Sequence, residues 1–468
     1  MANKYITHFG SSGSWGEPNP TPPSAQSKKF HPGYYFAINY GDVQTLSANI
    51  TSTATTMNLS GGTGIYPASG VIWIDNERIT YTGKGATTIT GCVRGTQGTA
   101  AVAHSAGDYV KLHKTRKSEM SNYPTTRTEI SSRLALRGIL VRSSWRDIET
   151  SENVYDFTEW DEVLADMTAA GKRMCVMIEV RSGALSSTPV PDYVINNASS
   201  EKGQFQYTGR ANGYYVKLWN AYTKARFKLF LEAVANHFDA QPNFEMFQMS
   251  ECSLGTAINP QPSGYPPVPT NYRNLWYAGL WECTKHLNSF TPNTITTQLL
   301  NFDRDQISPI IQSLVDAGIG LGCPNTLKDD PGSHVTGTNK GIFEWFKIYK
   351  NIVPICPSYQ RPEHYYSNLT WSLKNYKTGI ADDGTPPSGG TVPNPTYAWI
   401  RDWVNTPAYQ PNYIFVTRLE FAVGTSNVTG NFYKDDFLAF LNEAPQNASV
   451  SGGLNTTPPS KYASTFGD

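Results

Sequence analysis

Several acidic side chains of this 468-residue chain stand at or just after the ends of apolar runs. These residues are Glu179, Glu251, Asp303, Glu363 and Glu420. Two opposed carboxyl groups can cleave a glycosidic bond, because one protonates the leaving oxygen while the other attacks the sugar or activates water. A nearby arginine, such as Arg142, would keep the attacking carboxylate ionised. The residue types therefore fit carbohydrate chemistry, provided that the fold brings them together.

The apolar runs alternate with helical patterns along most of the chain. Strands are predicted at residues 33–40, 137–142, 173–179, 244–249, 294–300, 319–323, 352–356 and 412–417. Helices are predicted at residues 160–170, 218–238, 272–287, 307–317, 342–350, 397–404 and 433–441. Eight such repeats indicate an α/β fold of the (β/α)8 TIM-barrel type, whose strand ends form one catalytic mouth. An open doubly wound sheet is the alternative, and the lack of a glycine-rich phosphate loop counts against it.

Composition excludes some classes of function. Lys plus Arg and Asp plus Glu both number 38, so the net charge of zero does not favour nucleic acid as a partner. The sequence has no apolar run of membrane-spanning length and no secretory signal at its N-terminus. Six widely spaced cysteines predict buried thiols, and no motif for a metal or another cofactor is present. The 27 tyrosines and 11 tryptophans suit either sugar stacking or an aromatic-rich core.

Residues 46–112 interrupt the alternating pattern with short β-branched runs and glycine-rich turns, which predict a small all-β unit inserted after the first strand. Residues 31–45 and 113–445 then form the barrel. Residues 1–30 are predicted to be a polar N-terminal arm and residues 446–468 a C-terminal tail, extended along a partner or mobile.

The inserted unit resembles a β module that recurs in tail and baseplate proteins of bacteriophages. The residues that carry the resemblance are Glu77, Tyr81-Thr82-Gly83, Arg94-Gly95, Gly98-Thr99, Ala103-His104 and Gly107-Asp108. The resemblance implies a tail or tail-associated virion protein, made in the host cytoplasm without a signal peptide. It also implies contacts with other virion subunits and a homo-oligomer within the particle.

Residues 138–171 resemble the second strand and helix of clan A glycoside hydrolases. The matching residues are Arg142, Trp145, Glu149, Tyr155, Phe157 and Asp161, while Asn153 stands where glycine is usual. The resemblance implies a retaining mechanism with Glu251 as acid/base and Glu363 as nucleophile, contacted by Arg142. The residues expected to bind substrate are Arg142, Trp145, Glu179, Ser250, Asp303, Tyr359 and Glu420. Glu179 and Glu420 could instead form ion pairs with neighbouring arginines.

Two departures from the clan leave the function open. Ser250 stands where the clan has an asparagine that contacts the sugar, and Glu363 comes several residues after its strand, so Glu420 could replace it. One interpretation is a virion protein that recognises the host and hydrolyses its surface polysaccharide. The other is a non-catalytic structural or receptor-binding part of the particle. A cellular glycosidase without a phage link is a third interpretation.

Overall fold

A closed barrel of eight parallel strands forms the centre of the molecule. The computed structural model describes residues 27–37, 44–63, 66, 68–75, 77–96, 99–111, 123–183, 185, 188–209, 212–301, 303–324, 331–359, 406–417, 441 and 448–467. The strands are β1 (Gly33–Ala37), β2 (Leu136–Ser144), β3 (Arg173–Glu179), β4 (Phe244–Met249), β5 (Ile295–Leu299), β6 (Gly320–Cys323), β7 (Ile355–Tyr359) and β8 (Tyr413–Thr417). They pair in chain order, and β8 closes on β1. The predicted α/β TIM barrel is therefore confirmed.

Helices lie in the connections between successive strands from β1 to β7. The main ones are α1 (Tyr123–Ser132), α2 (Thr158–Ala169), α3 (Ala221–Phe238), α4 (Tyr272–Ser289), α5 (Ile311–Asp316) and α6 (Ile342–Tyr349). Their apolar faces and the outward faces of the strands form one large buried cluster. A second cluster, which includes Leu140, Cys175, Met177 and Met246, fills the inside of the barrel. The predicted helix 397–404 lies outside the described residues, as does the predicted helix 433–441 apart from Leu441.

Glu245, on β4, is a fully buried acid near the amino ends of the strands. One of its oxygens accepts from the His31 amide at 2.8 Å and from the Tyr413 hydroxyl at 2.6 Å, and the other lies 2.7 Å from His31 Nδ1. Burial raises the pKa of Glu245, but His31, Arg173 and the Tyr413 hydroxyl outweigh it and lower the pKa to about 2. This network ties the segment before β1 to the barrel.

The described parts of both terminal segments pack against this end of the barrel. Ser27–Lys29 pairs in parallel with Ser464–Phe466. The Lys28 ammonium donates to the Thr294 carbonyl at 2.9 Å, and the buried Tyr462 ring sends its hydroxyl to the Gly318 carbonyl at 3.1 Å. Apolar and buried basic side chains therefore anchor residues 27–30 and 448–467 to the barrel, and an extended contact of the ends with a partner stays a prediction.

Residues 44–111 form two antiparallel sheets, here called the β module. In one sheet the strand order is Gln44–Thr45, Tyr109–Lys111, Gly70–Ile74 and Glu77–Tyr81. In the other sheet it is Thr56–Asn58, Thr88–Thr90 and Gly83–Lys84. Buried side chains of both sheets, among them Ile72, Ile79 and Ile89, make a core of their own. The boundaries of the module as a domain stay a prediction.

All six cysteines are buried and unpaired, as predicted from their spacing. Within the described residues, no helix is long and apolar enough to cross a membrane.

Candidate functional site

Glu251 lies at the mouth of the barrel, two residues beyond the last residue of β4. Arg181 Nη2 donates to its Oε2 at 2.7 Å, and Asn301 Nδ2 donates to its Oε1. Since Arg181 follows β3 and Asn301 follows β5, residues after both neighbouring strands hold the carboxylate. The Glu251 side chain is 13% exposed, so it is positioned by the protein and still reaches solvent.

Arg181 connects Glu251 to a hairpin on the mouth side. The charge of Glu251 raises the pKa of the guanidinium above its usual value, although burial opposes this. Its Nη1 donates to the Tyr215 hydroxyl at 3.4 Å, and that hydroxyl donates to the Ser253 carbonyl at 2.6 Å. Tyr215 belongs to the hairpin strand Gly213–Val216. The hairpin therefore fixes the arginine, and the arginine fixes Glu251.

Glu179, at the end of β3, forms an ion pair with Arg142 of β2, with 2.6 Å between Oε1 and Nη2. Both side chains are mostly buried, with exposures of 5% and 12%. The pairing of Glu179 with an arginine was one of the two sequence expectations, and it is confirmed. Arg142 was expected to contact the nucleophile, and the carboxylate that it contacts among the described residues is Glu179.

Trp145 does not line the mouth, contrary to the sequence expectation. Its side chain is fully buried, and its ring packs beside Phe227 and Phe230 of α3. The indole Nε1 donates to Glu149 Oε2 at 2.5 Å. Because the ring lies in the layer between barrel and helices, its predicted contact with substrate is corrected to a role in packing.

Glu149 is the centre of a buried hydrogen-bond network, here called the Glu149 lock, which also includes Trp145, Asn153 and Arg226. The sequence did not reveal it. Besides Trp145, Glu149 accepts from Arg226 Nη2 at 2.7 Å and from the Asn153 amide at 2.8 Å. Asn153 has φ of 61°, and its Oδ1 accepts from Arg226 at 3.0 Å. Glycine adopts such a left-handed backbone freely, and asparagine also tolerates it.

Ser250 and Asp303 are bound mainly by the protein itself. The buried Ser250 hydroxyl accepts from the Val180 amide at 3.2 Å. Asp303 accepts from Arg273 and Tyr277 of α4, and from the Leu254 amide at 3.4 Å. These contacts fix the connections that follow β4 and β5. A role for either residue in binding substrate stays a prediction.

Part of the predicted site lies outside the described residues. This applies to Glu363 and Glu420, so the proposed pairing of Glu251 with either carboxylate stays a prediction. Tyr359 ends β7 as a backbone position, and its role as a substrate contact is likewise a prediction.

The sequence placed Arg181 and Asn301 at strand ends and offered Arg181 as an ion-pair partner for Glu179 or Glu420, but it did not predict that both contact Glu251. It also did not predict the aromatic pair Tyr214–Tyr265. The half-buried rings of Tyr214, in the hairpin, and Tyr265, in the connection before α4, stack with centroids 5.9 Å apart. Nothing in the spacing of these two tyrosines could have brought them together, since they are on separate segments.

Neither a protein-family model nor a curated protein matches the chain. Solved structures that match include a β-amylase catalytic domain from Paenibacillus polymyxa, at 11% identity over 63% of this chain and 88% of that one, with a TM-score of 0.41. A psychrophilic family 10 endo-β-1,4-xylanase matches at 12% identity over 63% and 84%, with a TM-score of 0.37. A β-galactosidase from Bacillus circulans sp. alkalophilus matches at 14% identity over 64% and 49%, with a TM-score of 0.39. The strand pairing, and not these distant matches, establishes the TIM barrel of this chain.

Proposed function

We propose that the barrel mouth binds glycan and hydrolyses an O-glycosidic bond, with Glu251 as the acid/base. The observation that carries the proposal is the placement of Glu251: a partly exposed carboxylate at the end of β4, held by Arg181 and Asn301. Catalytic groups of TIM barrels come from such strand ends. The stacked Tyr214 and Tyr265 rings offer a flat apolar surface of the kind that sugars bind.

The hydrogen bonds of Glu251 indicate which contacts a bound substrate must loosen before Glu251 can act as an acid. Both of its oxygens accept from nitrogen donors, which is the pattern of an ionised carboxylate. A general acid needs a proton on one oxygen, so substrate entry must loosen the contact with Arg181 or Asn301. Catalytic hydrogen bonds often rearrange in this way on substrate binding.

A second carboxylate is required, and Glu363 is proposed for it, with Glu420 as the alternative. A separation of about 5–5.5 Å between the two carboxyl groups fits a retaining mechanism, and about 6.5–9.5 Å fits an inverting one. In this proposal Arg142, which already pairs with Glu179, also contacts the nucleophile.

The decisive experiment compares wild type with Glu251→Gln on polysaccharides extracted from bacterial surfaces. Turnover, followed by release of reducing ends, is expected to fall by about 10²–10⁴, because the amide cannot supply the proton. Affinity for the glycan should remain within a few-fold, because shape and polarity are kept. Asp316→Asn, at an exposed carboxyl that pairs with Lys461 of the C-terminal segment, is the matched control and should retain full turnover. Equal turnover in Glu251→Gln and wild type would exclude Glu251 as the acid/base.

A non-catalytic binding role is the second candidate, and one observation favours it. Each of the three strand-end carboxylates in the described mouth is bound by an arginine: Glu179 by Arg142, Glu251 by Arg181 and Asp303 by Arg273. Such pairing stabilises a rigid binding surface. Binding of glycan by wild type without any release of reducing ends would support this candidate over hydrolysis.

We also propose that the protein is a tail component of a bacteriophage virion, where it recognises the host through surface polysaccharide. The support is the sequence of the β module, from Glu77 to Asp108. A fluorescent fusion of the full chain should label host cells, and removal of the surface polysaccharide should abolish the label. Labelling that persists on stripped cells would contradict a glycan receptor.

A further inference from the structure

The β module brings three potential metal ligands together at one edge. Asp75 is in the turn between Gly70–Ile74 and Glu77–Tyr81, and Asp108 directly precedes Tyr109–Lys111, which pairs with the first of these strands. His104 bridges to Ile50 through its backbone. Its Nδ1 lies 3.4 Å from Asp75 Oδ2 and 3.9 Å from Asp108 Oδ2. The fold, not sequence proximity, creates this cluster.

The other ring nitrogen of His104 is held as in known metal sites. Nε2 lies 2.8 Å from Glu77 Oε2. Glu77 is buried and also accepts from Arg94 Nε at 2.8 Å, Arg94 Nη2 at 2.7 Å and the Gly95 amide at 2.9 Å. Since these donors require an ionised Glu77, Nε2 carries the proton. Histidines that bind metals typically donate their second N–H to a carboxylate in this way.

The local charges leave a negative excess at Nδ1. Arg94 neutralises Glu77 through a two-pronged ion pair. Within the described part of the chain, the structure records His104 as the one basic group within 4 Å of the carboxylates of Asp75 and Asp108. With a neutral imidazole, two uncompensated negative charges remain, which is the charge of one divalent cation.

The distances are longer than those of hydrogen bonds between charged groups, which are about 2.7–2.9 Å. A nitrogen and an oxygen that each lie about 2.1 Å from one zinc ion at a tetrahedral angle are about 3.4 Å apart. We propose that Asp75, His104 and Asp108 form a binding site for a divalent cation of the zinc class. One imidazole with two carboxylates is a donor set that such ions accept, and solvent can complete the coordination because Asp75 is half exposed.

Protons compete with the metal for Nδ1. Burial lowers the pKa of His104, but the hydrogen bond to Glu77 and the negative charges of Asp75 and Glu77 outweigh this effect and raise the pKa above its usual value. Asp108 and Asp75 face Nδ1, and Glu77, with Arg94 behind it, faces Nε2. Affinity for metal should therefore fall about tenfold for each pH unit below the pKa of His104.

The test is calorimetric titration of zinc chloride into the metal-free full chain, with Asp75→Asn as the site variant. Asparagine keeps the shape of Asp75 and tolerates its left-handed backbone, φ 51°, so the module should stay folded. We expect one zinc ion per chain in wild type and at least about tenfold weaker binding in the variant. Asp161→Asn is the matched control, because Asp161 pairs with His237 at 2.8 Å on the barrel, and it should bind zinc as wild type does.

Two outcomes would overturn the proposal. One is equal zinc affinity in wild type and Asp75→Asn, which would place the ion elsewhere. The other is no stoichiometric binding by wild type at pH 8, which would mean that the two aspartates only neutralise a protonated His104. Weaker zinc binding by wild type at pH 6 than at pH 8, together with the absence of this pH difference in Asp75→Asn, would add support.

Discussion

At the scale of single residues, the backbone of Asn153 determines whether the Glu149 lock can form. Its left-handed conformation, φ 61°, turns the chain so that its own amide reaches Glu149 and its side chain reaches Arg226. Arg226 and Glu149 are both buried. A buried ion pair is stable only when its hydrogen bonds are satisfied, so this turn supports the packing of Trp145 and α3.

We predict that Asn153→Ala is less stable than Asn153→Gly by about 1 kcal/mol in urea unfolding. Both variants lose the side-chain contact with Arg226, so their difference isolates the backbone, and a left-handed conformation costs a residue with Cβ about 1–2 kcal/mol. At the neighbouring Glu152, where φ is not positive, the same pair of substitutions should reverse in order, with alanine more stable than glycine. The same order at both positions would refute the backbone argument.

The residue scale also shows where sequence reasoning ended. Glu251 could be found because it follows an apolar strand, but its partners could not be assigned. Arg181 and Asn301 reach it only through the strand order of the closed barrel, and Tyr215 through the hairpin that follows β3. Trp145 matched a motif, but the motif does not tell whether the ring faces the mouth or the helices.

At the scale of elements, two buried lysines hold the strand Ser27–Lys29 in place. Lys28 and Lys29 are buried, and burial lowers their pKa values to about 7 and about 8. Asp239 near Lys28 and Glu245 near Lys29 oppose the shift. Each ammonium donates to backbone carbonyls, Lys28 to Thr294 and Lys29 to Gln241. These bonds attach the strand to the barrel near the amino ends of its strands.

The lowered values predict that the contribution of Lys28 and Lys29 to the free energy of unfolding rises between pH 7 and about pH 9.5, while buried cysteines with raised pKa values oppose this rise above about pH 8.5. In this window the unfolded lysines, with pKa about 10.4, still bind protons that the folded ones have released. Each lysine contributes up to about 1.4 kcal/mol per pH unit, and below pH 7 the dependence levels off. Lys28→Met should remove about half of this lysine contribution, which is read from the difference between wild type and variant in denaturant unfolding at pH 7, 8 and 9.

Lys461→Met is the control for this measurement, because Lys461 forms an ion pair with Asp316 at the surface. It should leave the slope unchanged. An identical slope in Lys28→Met and wild type would show that Lys28 does not lose its proton in the folded state.

Sequence predicted the barrel strands best where both faces are buried. Strands β3 and β4 have the predicted bounds, because each is a continuous apolar run whose two ends are clear in the sequence. Strand β7 starts three residues later than predicted. Ile352 and Val353 donate their amides to the Tyr349 carbonyl and so complete the last turn of α6. The apolar run alone could not separate this turn from the strand.

At the scale of the whole molecule, the β module and the barrel each have a core. The chain enters and leaves the module through neighbouring strands, since Gln44 pairs with Val110 and Thr45 with Tyr109. Opposite residues of antiparallel strands are about 4.5–5.5 Å apart. A short linker could therefore replace the module without stretching the chain.

We predict that deletion of residues 46–112, with a short Gly/Ser linker, leaves a barrel that unfolds cooperatively. Circular dichroism should retain the α/β signal, and the melting transition should remain single. Binding of zinc should disappear with the module, while binding of glycan should remain. A deletion that yields only aggregate would show that the barrel depends on the module, and the division into domains would be wrong.

The pairing of Ser27–Lys29 with Ser464–Phe466 has a mechanical consequence. The two strands are parallel, so a pull through the segments before Ser27 and after Phe466 drives them past each other along their length. Their hydrogen bonds are then strained together and not one after another, and the buried Lys28 and Lys29 side chains resist the same sliding. The load would pass from one end of the chain to the other through this strand pair, and the barrel mouth would keep its shape until the two strands separate.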